Sequence, residues 1–360
     1  MQLPAHGANA ESLYEAMGLV MPDKVLDLSE NVNAFGVPDA IKHAWPSLIQ
    51  YVSRYPHEQA EPFRSAAAKV HHVLPEQLLV TNGAAEGLMA LAQYFRGEDV
   101  LLLEPSFSEY KRTLKQQNCR IHSIISTDIK CYKFDISELH QTLQKSRGCY
   151  ICNPNNPTGV LLEKSWIEPL IKANPSCTFV IDEAFIDWTD ETESVISLIS
   201  QYPNLFVVRS MTKMFAMAGV RLGYVMGQQV EKLREFLPHW SVSQLAIELG
   251  MICLGEQKFI VQSRLMNEQI LKEMKTYFRS IQTDFTNASA NYLLFKLPQP
   301  YNTDHFFKHL LTKGVVLRHT KNYEGLNGEW LRIAVKTEES WRQVRKEIEE
   351  YVKRNSVLSS

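Results

Sequence analysis

The chain has 360 residues, of which 45% are hydrophobic and 22% are charged, and its formal net charge is −2. This balance gives no reason to expect a polyanion such as DNA as a partner. No run approaches the ~18 consecutive apolar residues of a membrane span, and the first residues lack the basic and apolar regions of a secretory signal. We therefore expect a cytoplasmic protein with neither a membrane nor a nucleic-acid partner.

The first ~35 residues are predicted to be irregular, and an alternation of apolar runs with helical patterns begins near residue 78. Most of these runs are continuously hydrophobic, which is typical of strands that are covered on both faces. Predicted strands lie at 78–81, 100–103, 121–125, 149–152, 178–181, 205–208 and 223–226, and predicted helices at 84–95, 108–117, 137–145 and 163–172. The alternation predicts an α/β domain with a mostly parallel sheet sandwiched by helices.

The pattern changes after about residue 230. A long helix is predicted at 258–278, followed by strands at 292–296, 315–318 and 331–335 and a helix at 338–353. This order indicates a second, smaller α+β domain. We predict three parts: an N-terminal arm over 1–35 that packs with the small domain, a large domain over 36–245, and a small C-terminal domain over 246–360.

Six cysteines include the pair Cys149 and Cys152, a spacing that occurs in metal and redox sites. The segment is apolar and is predicted to be a strand, so residues three positions apart point to opposite faces. Buried core cysteines are therefore favoured, and no metal site is predicted.

The densest chemical signal surrounds Lys213. Hydroxyl groups of Ser210 and Thr212 precede this lysine just beyond an apolar strand, and Arg221 follows in Arg-Leu-Gly-Tyr. Hydroxyls and a guanidinium suit a phosphate dianion, and a lysine held in a partly desolvated place can act as a neutral nucleophile. The alternative is a surface lysine in a basic loop, and the position directly after a strand argues against it.

Two further polar groups follow apolar strands. Asp182 ends a strand of apolar character, where an unpaired carboxylate is costly, and such a carboxylate can pair with a protonated pyridine nitrogen. Asn156 lies in a rigid Asn-Pro-Asn-Asn-Pro-Thr-Gly turn and can donate to a phenolic oxygen. A loop aspartate and a plain turn are the structural alternatives.

The segment Gly83-Ala84-Ala85 opens a predicted helix, where free backbone N–H groups favour a phosphate. It matches neither a P-loop nor a dinucleotide-binding fingerprint. Phe107 follows the next strand and offers an aromatic face for a pyridine ring. All these groups lie at the carboxyl ends of strands, where an open α/β sheet binds its ligands. Together they predict a pyridoxal 5'-phosphate (PLP) cofactor carried by Lys213 as a Schiff base.

At this point the sequence resembles fold-type I PLP enzymes of the aspartate aminotransferase superfamily over nearly its whole length. Two groups compete, the threonine-phosphate decarboxylases and the histidinol-phosphate aminotransferases. The segments similar to the decarboxylases are His-Gly-Ala-Asn at 6–9, Ser-Glu-Asn-Val-Asn at 29–33, Arg-Tyr-Pro at 54–56, Trp-Ser-Val at 240–242 and Asn-Tyr-Glu-Gly-Leu at 322–326. Phe185 also resembles the decarboxylases, since the aminotransferases usually have tyrosine there. The chain departs from the pattern at Glu30, Ala34 and Ala84-Ala85.

The resemblance implies roles for named residues. The PLP site would consist of Gly83, Ala84, Ala85, Phe107, Asn156, Asp182, Ser210, Thr212, Lys213 and Arg221. Arg332 would bind the substrate carboxylate and Arg318 the substrate phosphate. His6, Asn31 and Tyr55 of the other subunit would assist, so a homodimer is implied.

The function predicted from this resemblance is PLP-dependent decarboxylation of L-threonine O-3-phosphate to (R)-1-amino-2-propanol O-2-phosphate, a precursor in cobalamin biosynthesis. Serine phosphate is a possible variant substrate. The runner-up is an aminotransferase of the histidinol-phosphate type that uses 2-oxoglutarate and glutamate. A non-catalytic ligand-binding module on the same fold is a third hypothesis, disfavoured because Lys213, Asp182, Arg221 and Arg332 are all present.

Overall fold

A computed structural model describes residues 3–298 and 300–356 of the chain. Its strands are β1 (Leu26–Asp27), β2 (Leu78–Thr81), β3 (Asp99–Glu104), β4 (Arg120–Ile125), β5 (Gly148–Cys152), β6 (Thr178–Asp182), β7 (Leu205–Ser210), β8 (Gly223–Met226), β9 (Asp284–Phe285), β10 (Tyr292–Lys296), β11 (Val315–Val316), β12 (Arg318–His319) and β13 (Leu331–Ala334).

Helices cover much of the remaining chain. They are α1 (Ala10–Met17), α2 (Asp39–Leu48), α3 (Phe63–Val70), α4 (Gly83–Tyr94), α5 (Ser108–Gln116), α6 (Ile136–Leu143), α7 (Lys164–Ala173), α8 (Glu231–Arg234), α9 (Gln244–Leu254), α10 (Gln257–Ser280), α11 (Thr303–Thr312) and α12 (Glu338–Ser356).

A seven-stranded sheet forms the centre of the larger part of the molecule, in the order β2-β8-β7-β6-β5-β3-β4. Strands β4, β3, β5, β6 and β7 are parallel, and β8 is antiparallel to both of its neighbours. Since β2 and β7 both oppose β8, they run in the same direction. The predicted α/β fold with a mostly parallel sheet is confirmed.

Buried side chains cover both faces of this sheet, which explains why its strands are continuously apolar. Cys149 packs in the hydrophobic cluster on one face and Cys152 in the cluster on the other. The seven predicted strands are present as β2–β8 and the four predicted helices as α4–α7, to within two residues at each end.

A four-stranded antiparallel sheet, in the order β12-β13-β10-β9, forms the centre of the smaller part of the molecule. It packs with α10, α11 and α12 around a separate hydrophobic cluster. The single strand predicted at 315–318 is wrong. The chain instead forms β11 and β12, which belong to different sheets because β11 pairs in parallel with β1 of the arm.

The prediction that the first 35 residues are irregular is wrong for α1. The Asn9 side chain caps this helix by accepting from the Ser12 N–H at 3.2 Å, and Gly18 ends it with φ +63. Leu13 and Tyr14 pack in the cluster of the smaller part, and the Tyr14 hydroxyl donates to the Leu311 carbonyl at 2.6 Å. The exact boundaries of arm and domains stay predictions.

No helix in the described part of the chain combines the length and apolar character needed to cross a membrane. Among residues 3–298 and 300–356, no group of three or more His, Cys, Asp or Glu side chains is arranged to hold a metal ion.

Candidate active site

A cavity of about 280 Å³ lies at the edge of the large sheet where β2, β3, β5, β6 and β7 end. Parallel strands bring their carboxyl ends to one edge, so segments far apart in sequence meet there. The predicted residues that line it are His6, Asn31, Ala84, Ala85, Phe107, Asn156, Asp182, Ser210, Thr212, Lys213, Arg221, Arg318 and Arg332. Gly83 and Tyr55 are the two predicted residues outside this lining.

Lys213 follows β7 by three residues and extends into the cavity. Its Nζ lies 5.9 Å from the centre of the Phe185 ring. Burial, together with the Arg332 and Arg221 guanidinium groups, lowers the pKa of Lys213 to about 8, and the Glu30 carboxylate opposes this shift. The amine is therefore neutral in a much larger fraction than an ordinary lysine at neutral pH, as a nucleophile requires.

Asp182 ends β6 and is buried, with both carboxylate oxygens placed by hydrogen bonds. The Tyr110 hydroxyl donates to Oδ2 at 2.6 Å, and the Ala184 backbone N–H donates to Oδ1 at 3.0 Å. Burial raises the pKa of Asp182, while these two hydrogen bonds lower it. The carboxylate is held at the cavity wall, where it can accept a further N–H.

The N-terminus of α4 and Arg221 provide groups that suit an anion. Helix α4 begins at Gly83, and the Asn82 side chain donates to the Ser241 carbonyl at 2.6 Å instead of capping the helix. Gly83 has φ +71, and a Cβ there would lie 2.7 Å from Nη2 of Arg221. Because glycine permits this approach, the helix N-terminus and a guanidinium face the same space.

Arg332 on β13 reaches the cavity from the smaller sheet. Its Nη1 donates to Oδ1 of Asn156 at 2.6 Å, and its Nη2 donates to the Ser29 carbonyl at 2.6 Å. The guanidinium lies 5.2 Å from the centre of the Tyr292 ring. Arg332 therefore ties the arm and both sheets together at the cavity.

Arg318 on β12 is a second buried arginine in the same cavity. Its Nη2 donates at 2.6 Å both to the Ala5 carbonyl and to Oδ1 of Asn322. Its guanidinium lies 5.2 Å from the centre of the Tyr323 ring, and burial lowers its pKa. Two guanidinium groups thus face one small cavity that also contains Lys213.

The arm covers the cavity of its own chain, so His6 and Asn31 line this cavity from the same subunit and not, as expected, from the other one. His6 Nε2 lies 2.9 Å from Oε1 of Glu109, and the His6 ring is centred 5.9 Å from the Phe107 ring. The Asn31 side chain is buried in the lining, and its Oδ1 has no hydrogen-bond partner among the described residues. Tyr55 lies elsewhere: it is 84% exposed, with its ring 5.5 Å from that of Trp240.

Comparison with known proteins agrees with this geometry. Residues 23–348 match the model of aminotransferases of class I and II. The chain belongs to the aminotransferase class I and II family. The cofactor of this family is PLP, as predicted from the sequence, and the chain is a PLP enzyme. The free N-terminus of α4, the space left by Gly83 and the buried Asp182 carboxylate fit the phosphate and ring nitrogen of that cofactor.

Two curated relatives carry different names. The chain is 27% identical over 339 residues to the threonine-phosphate decarboxylase of Salmonella typhimurium, covering 92% of each protein. It is also 27% identical over 359 residues to the histidinol-phosphate aminotransferase of Methanosphaera stadtmanae, covering 96% of this chain and 95% of that one. Identity alone therefore does not separate the two activities.

Solved structures share the family fold. The histidinol-phosphate aminotransferase of Clostridium acetobutylicum superposes with a TM-score of 0.86 at 25% identity, covering 92% of this chain and 100% of that one. The histidinol-phosphate aminotransferase of Sinorhizobium meliloti, in complex with pyridoxal-5'-phosphate, has a TM-score of 0.83 at 15% identity, covering 96% of this chain and 94% of that one.

Three features of the site were not predicted from the sequence. Tyr110 bonds Asp182, the Tyr323 hydroxyl donates to Oδ1 of Asn156 at 3.3 Å, and Glu30 lines the cavity. Tyr323 lies inside a segment that resembles the decarboxylases, and Glu30 is a departure from their pattern, so both carried a signal. Tyr110 follows the same strand as Phe107 and is also an aromatic candidate for the pyridine ring, but a core position fits it almost equally well, and its bond to Asp182 was not predicted.

Proposed function

We propose that the protein decarboxylates L-threonine O-3-phosphate to (R)-1-amino-2-propanol O-2-phosphate, with serine phosphate as a variant substrate. The observation that carries this proposal is the presence of two buried arginines, Arg332 and Arg318, in one cavity with Lys213. A substrate with one carboxylate and one phosphate uses both guanidinium groups, each of which can form two parallel hydrogen bonds to an oxyanion.

In this proposal PLP is held by several groups of the cavity and by Gly83 beside it. The residues that hold it are Gly83, Ala84, Ala85, Phe107, Asn156, Asp182, Ser210, Thr212, Lys213 and Arg221. Arg221, the two hydroxyls and the N-terminus of α4 bind the phosphate, and Asp182 pairs with the ring nitrogen. When bound, PLP withdraws electrons from the substrate α-carbon. The backbone N–H of Ala85 acts where the resembling families have a threonine hydroxyl.

Orientation decides which bond to the α-carbon breaks. Arg332 fixes the carboxylate and Arg318 the phosphate, and two fixed anchors set the torsion about the α-carbon. His6 and Asn31 support the phosphate. After loss of CO₂ a proton must reach the α-carbon, and the Lys213 ammonium lies in the cavity to donate it. Lys213 is thus proposed as both the attachment point and the proton donor.

Phe185 favours decarboxylation over transfer of the amino group. It lies beside Lys213 and packs edge-on against Tyr292, with ring centres 4.9 Å apart. It brings no hydroxyl to the cofactor, whereas the resembling aminotransferases usually place a tyrosine there.

An aminotransferase of the histidinol-phosphate type is the second candidate, favoured by the equal identity to the Methanosphaera stadtmanae protein. The two reactions differ in their products. The PLP-loaded protein is incubated with threonine phosphate, serine phosphate and histidinol phosphate, each with and without 2-oxoglutarate, and CO₂ and glutamate are assayed together. Release of CO₂ from threonine phosphate without any 2-oxo acid is expected, and glutamate formation without CO₂ would overturn the proposal.

We also infer a homodimer in which Tyr55 reaches the neighbouring cavity. Tyr55 is surrounded in sequence by exposed apolar side chains at Trp45, Ile49 and Val52, a composition typical of an interface. Mixing Tyr55→Ala protein with Lys213→Ala protein is expected to restore activity, because hybrid dimers contain one site with both native residues. Absence of any restored activity after subunit exchange would contradict shared sites.

A further inference from the structure

Glu30 is the one charged group of the cavity that the proposed function leaves without a task. The charged side chains of the lining are Glu30, Asp182, Lys213, Arg221, Arg318 and Arg332. Asp182 and Arg221 are assigned to the cofactor, and Arg318 and Arg332 to the two anions of the substrate. Glu30 adds a negative charge to a cavity that must accept a multiply charged anion, which is unfavourable unless a positive group meets it.

The structure holds the Glu30 carboxylate at the cavity wall. Its Oε1 accepts from Nζ of Lys336 at 3.1 Å, and this is its only side-chain partner among the described residues. One third of the Glu30 side chain (33%) stays exposed in the ion pair. Glu30 lines the cavity and Lys336 does not, so the ion pair joins a lining residue to a lysine outside the lining.

Two neighbours fix where in the cavity this carboxylate acts. The backbone carbonyl of Ser29, the preceding residue, accepts from Arg332, which places Glu30 next to the proposed carboxylate anchor. The Glu30 charge is also close enough to Lys213 to raise its pKa against the effect of burial. The substrate amine must come within bonding distance of the carbon that Lys213 holds, so it arrives beside Glu30.

We propose that Glu30 binds the α-ammonium group of the incoming substrate. With this contact the three charged groups of threonine phosphate each meet an opposite charge: the carboxylate at Arg332, the phosphate at Arg318 and the ammonium at Glu30. The ion pair with Lys336 keeps the carboxylate in place before the substrate binds. This inference rests on the proposed function for the choice of ligand, although any amino substrate has the group that Glu30 recognises.

The test compares ligands with and without the amine. The holoenzyme is first reduced with borohydride, so that the cofactor stays on Lys213 and the ligand amine stays non-covalent. Dissociation constants are then measured by calorimetry for threonine phosphate and for 3-phosphooxybutanoate, which lacks the amine. In Glu30→Gln the affinity for threonine phosphate is expected to fall by about tenfold, since a hydrogen bond between charged groups is lost. The affinity for the amine-free ligand is expected to rise, since a negative charge is removed.

Two variants serve as controls. Lys336→Gln leaves the Glu30 charge unpaired. The affinity for threonine phosphate is therefore expected to rise, and the affinity for the amine-free ligand is expected to fall. Glu329→Gln makes the same chemical change in an ion pair with Lys296 outside the cavity, and both affinities are expected to stay unchanged. A purely structural Glu30–Lys336 pair predicts instead that both ligands weaken in Glu30→Gln, and that result would overturn the inference.

A second ligand pair separates this inference from the proposed function. Histidinol phosphate and 3-(imidazol-4-yl)propyl phosphate also differ only at the amine-bearing carbon. Opposite shifts with this pair, together with no binding of threonine phosphate, would overturn the proposed substrate and retain the role of Glu30. Binding of neither pair by the unchanged protein would overturn both.

Discussion

Tyr110 donates a hydrogen bond to the Asp182 carboxylate at 2.6 Å, across 72 positions of sequence. Tyr110 lies in the first turn of α5, and Phe107 precedes that helix as its N-cap residue. One short helix therefore places an aromatic ring against the cavity and holds the carboxylate at the cavity wall. Burial of the carboxylate favours its protonated form, and this hydrogen bond favours the ionised form.

Tyr110→Phe is expected to lower kcat by roughly tenfold, because a buried hydrogen bond to a charged group contributes about 1.5–3 kcal/mol. Loss of the hydroxyl raises the pKa of Asp182 further, so the ring nitrogen of PLP loses part of its anionic partner. The measurement is kcat, together with the pH dependence of the visible absorbance of the lysine-linked cofactor.

Tyr150→Phe is the matched control for this change. Tyr150 is also fully buried, with its ring 5.4 Å from that of Tyr110, but its hydroxyl has no partner in the described part of the chain. Removing this hydroxyl is expected to leave kcat and the absorbance unchanged. Equal losses in both variants would assign the effect to packing and not to the hydrogen bond.

Gly83→Ala is expected to weaken PLP binding by roughly tenfold or more, since a phosphate contact to a guanidinium is among the stronger hydrogen bonds. The new Cβ would lie 2.7 Å from Nη2 of Arg221 and displace it. Gly36 has a similar φ of +72 with nothing within 4 Å of its Cβ position, so Gly36→Ala has the same backbone strain without the clash. The dissociation constant of PLP in both variants decides whether the clash, and not strain, is responsible.

Local sequence patterns predict the central sheet and the groups that follow its strands. Strands β2 and β8 have the predicted bounds because a continuous apolar run that is buried on both faces has an unambiguous pattern. Lys213, Asp182 and Asn156 follow such strands, so the direction of parallel strands brings them to one edge. The predicted strand ends alone are therefore enough to place these three residues at the same edge of the sheet.

Local sequence patterns do not predict contacts between segments that are distant in the sequence. Strands β11 and β12 belong to different sheets because the arm strand β1 pairs with β11. The sequence of residues 315–319 contains no pattern that predicts this pairing. Helix α1 has only eight residues, too few for a clear periodic pattern, although Asn9 and Gly18 mark its ends. The direction of the Tyr110 side chain likewise depends on distant segments, since its hydroxyl bonds Asp182 of β6 and its ring contacts Tyr150 of β5.

Arg209→Met is expected to destabilise the protein by about 3–5 kcal/mol, as is typical when one partner of a buried ion pair is removed. Arg209 is buried beside Ser210. Its Nε lies 3.0 Å from Oε2 of Glu183, and its Nη1 lies 3.0 Å from Oδ1 of Asp187. Burial already raises the pKa of Asp187 to about 6, and loss of the arginine raises it further. The free energy of unfolding is measured in urea with PLP bound.

Arg120→Met provides the comparison for an exposed ion pair. Arg120 bonds Asp99 at 2.5 Å but is 63% exposed, and such pairs typically contribute about 0–1 kcal/mol. A loss of stability in Arg209→Met no larger than that in Arg120→Met would show that the buried cluster does not stabilise the strand that leads to Lys213.

The rate at which PLP attaches to the cofactor-free protein is expected to depend on the protonation of Lys213. Because burial and the neighbouring arginines lower its pKa to about 8, the neutral amine increases with pH and reaches its plateau above that value. The rate, followed by visible absorbance, is expected to rise about tenfold per pH unit from 6 to 7 and to level off above 8. A rate that keeps rising beyond pH 9 would contradict the lowered pKa.

The same lowered pKa predicts how stability changes with pH. Between a pH of about 8 and the ordinary lysine pKa of 10.5, the unfolded chain holds a proton on Lys213 that the folded protein has released. The unfolded state binds more protons there, so the free energy of unfolding of the cofactor-free protein rises with pH across this window. Lys213→Met removes this contribution, so the stability of the variant relative to the unchanged protein is expected to be greatest below pH 8 and to decline as the pH approaches 10.5. Urea unfolding of both proteins at several pH values measures that difference, and a constant difference would contradict the proton release.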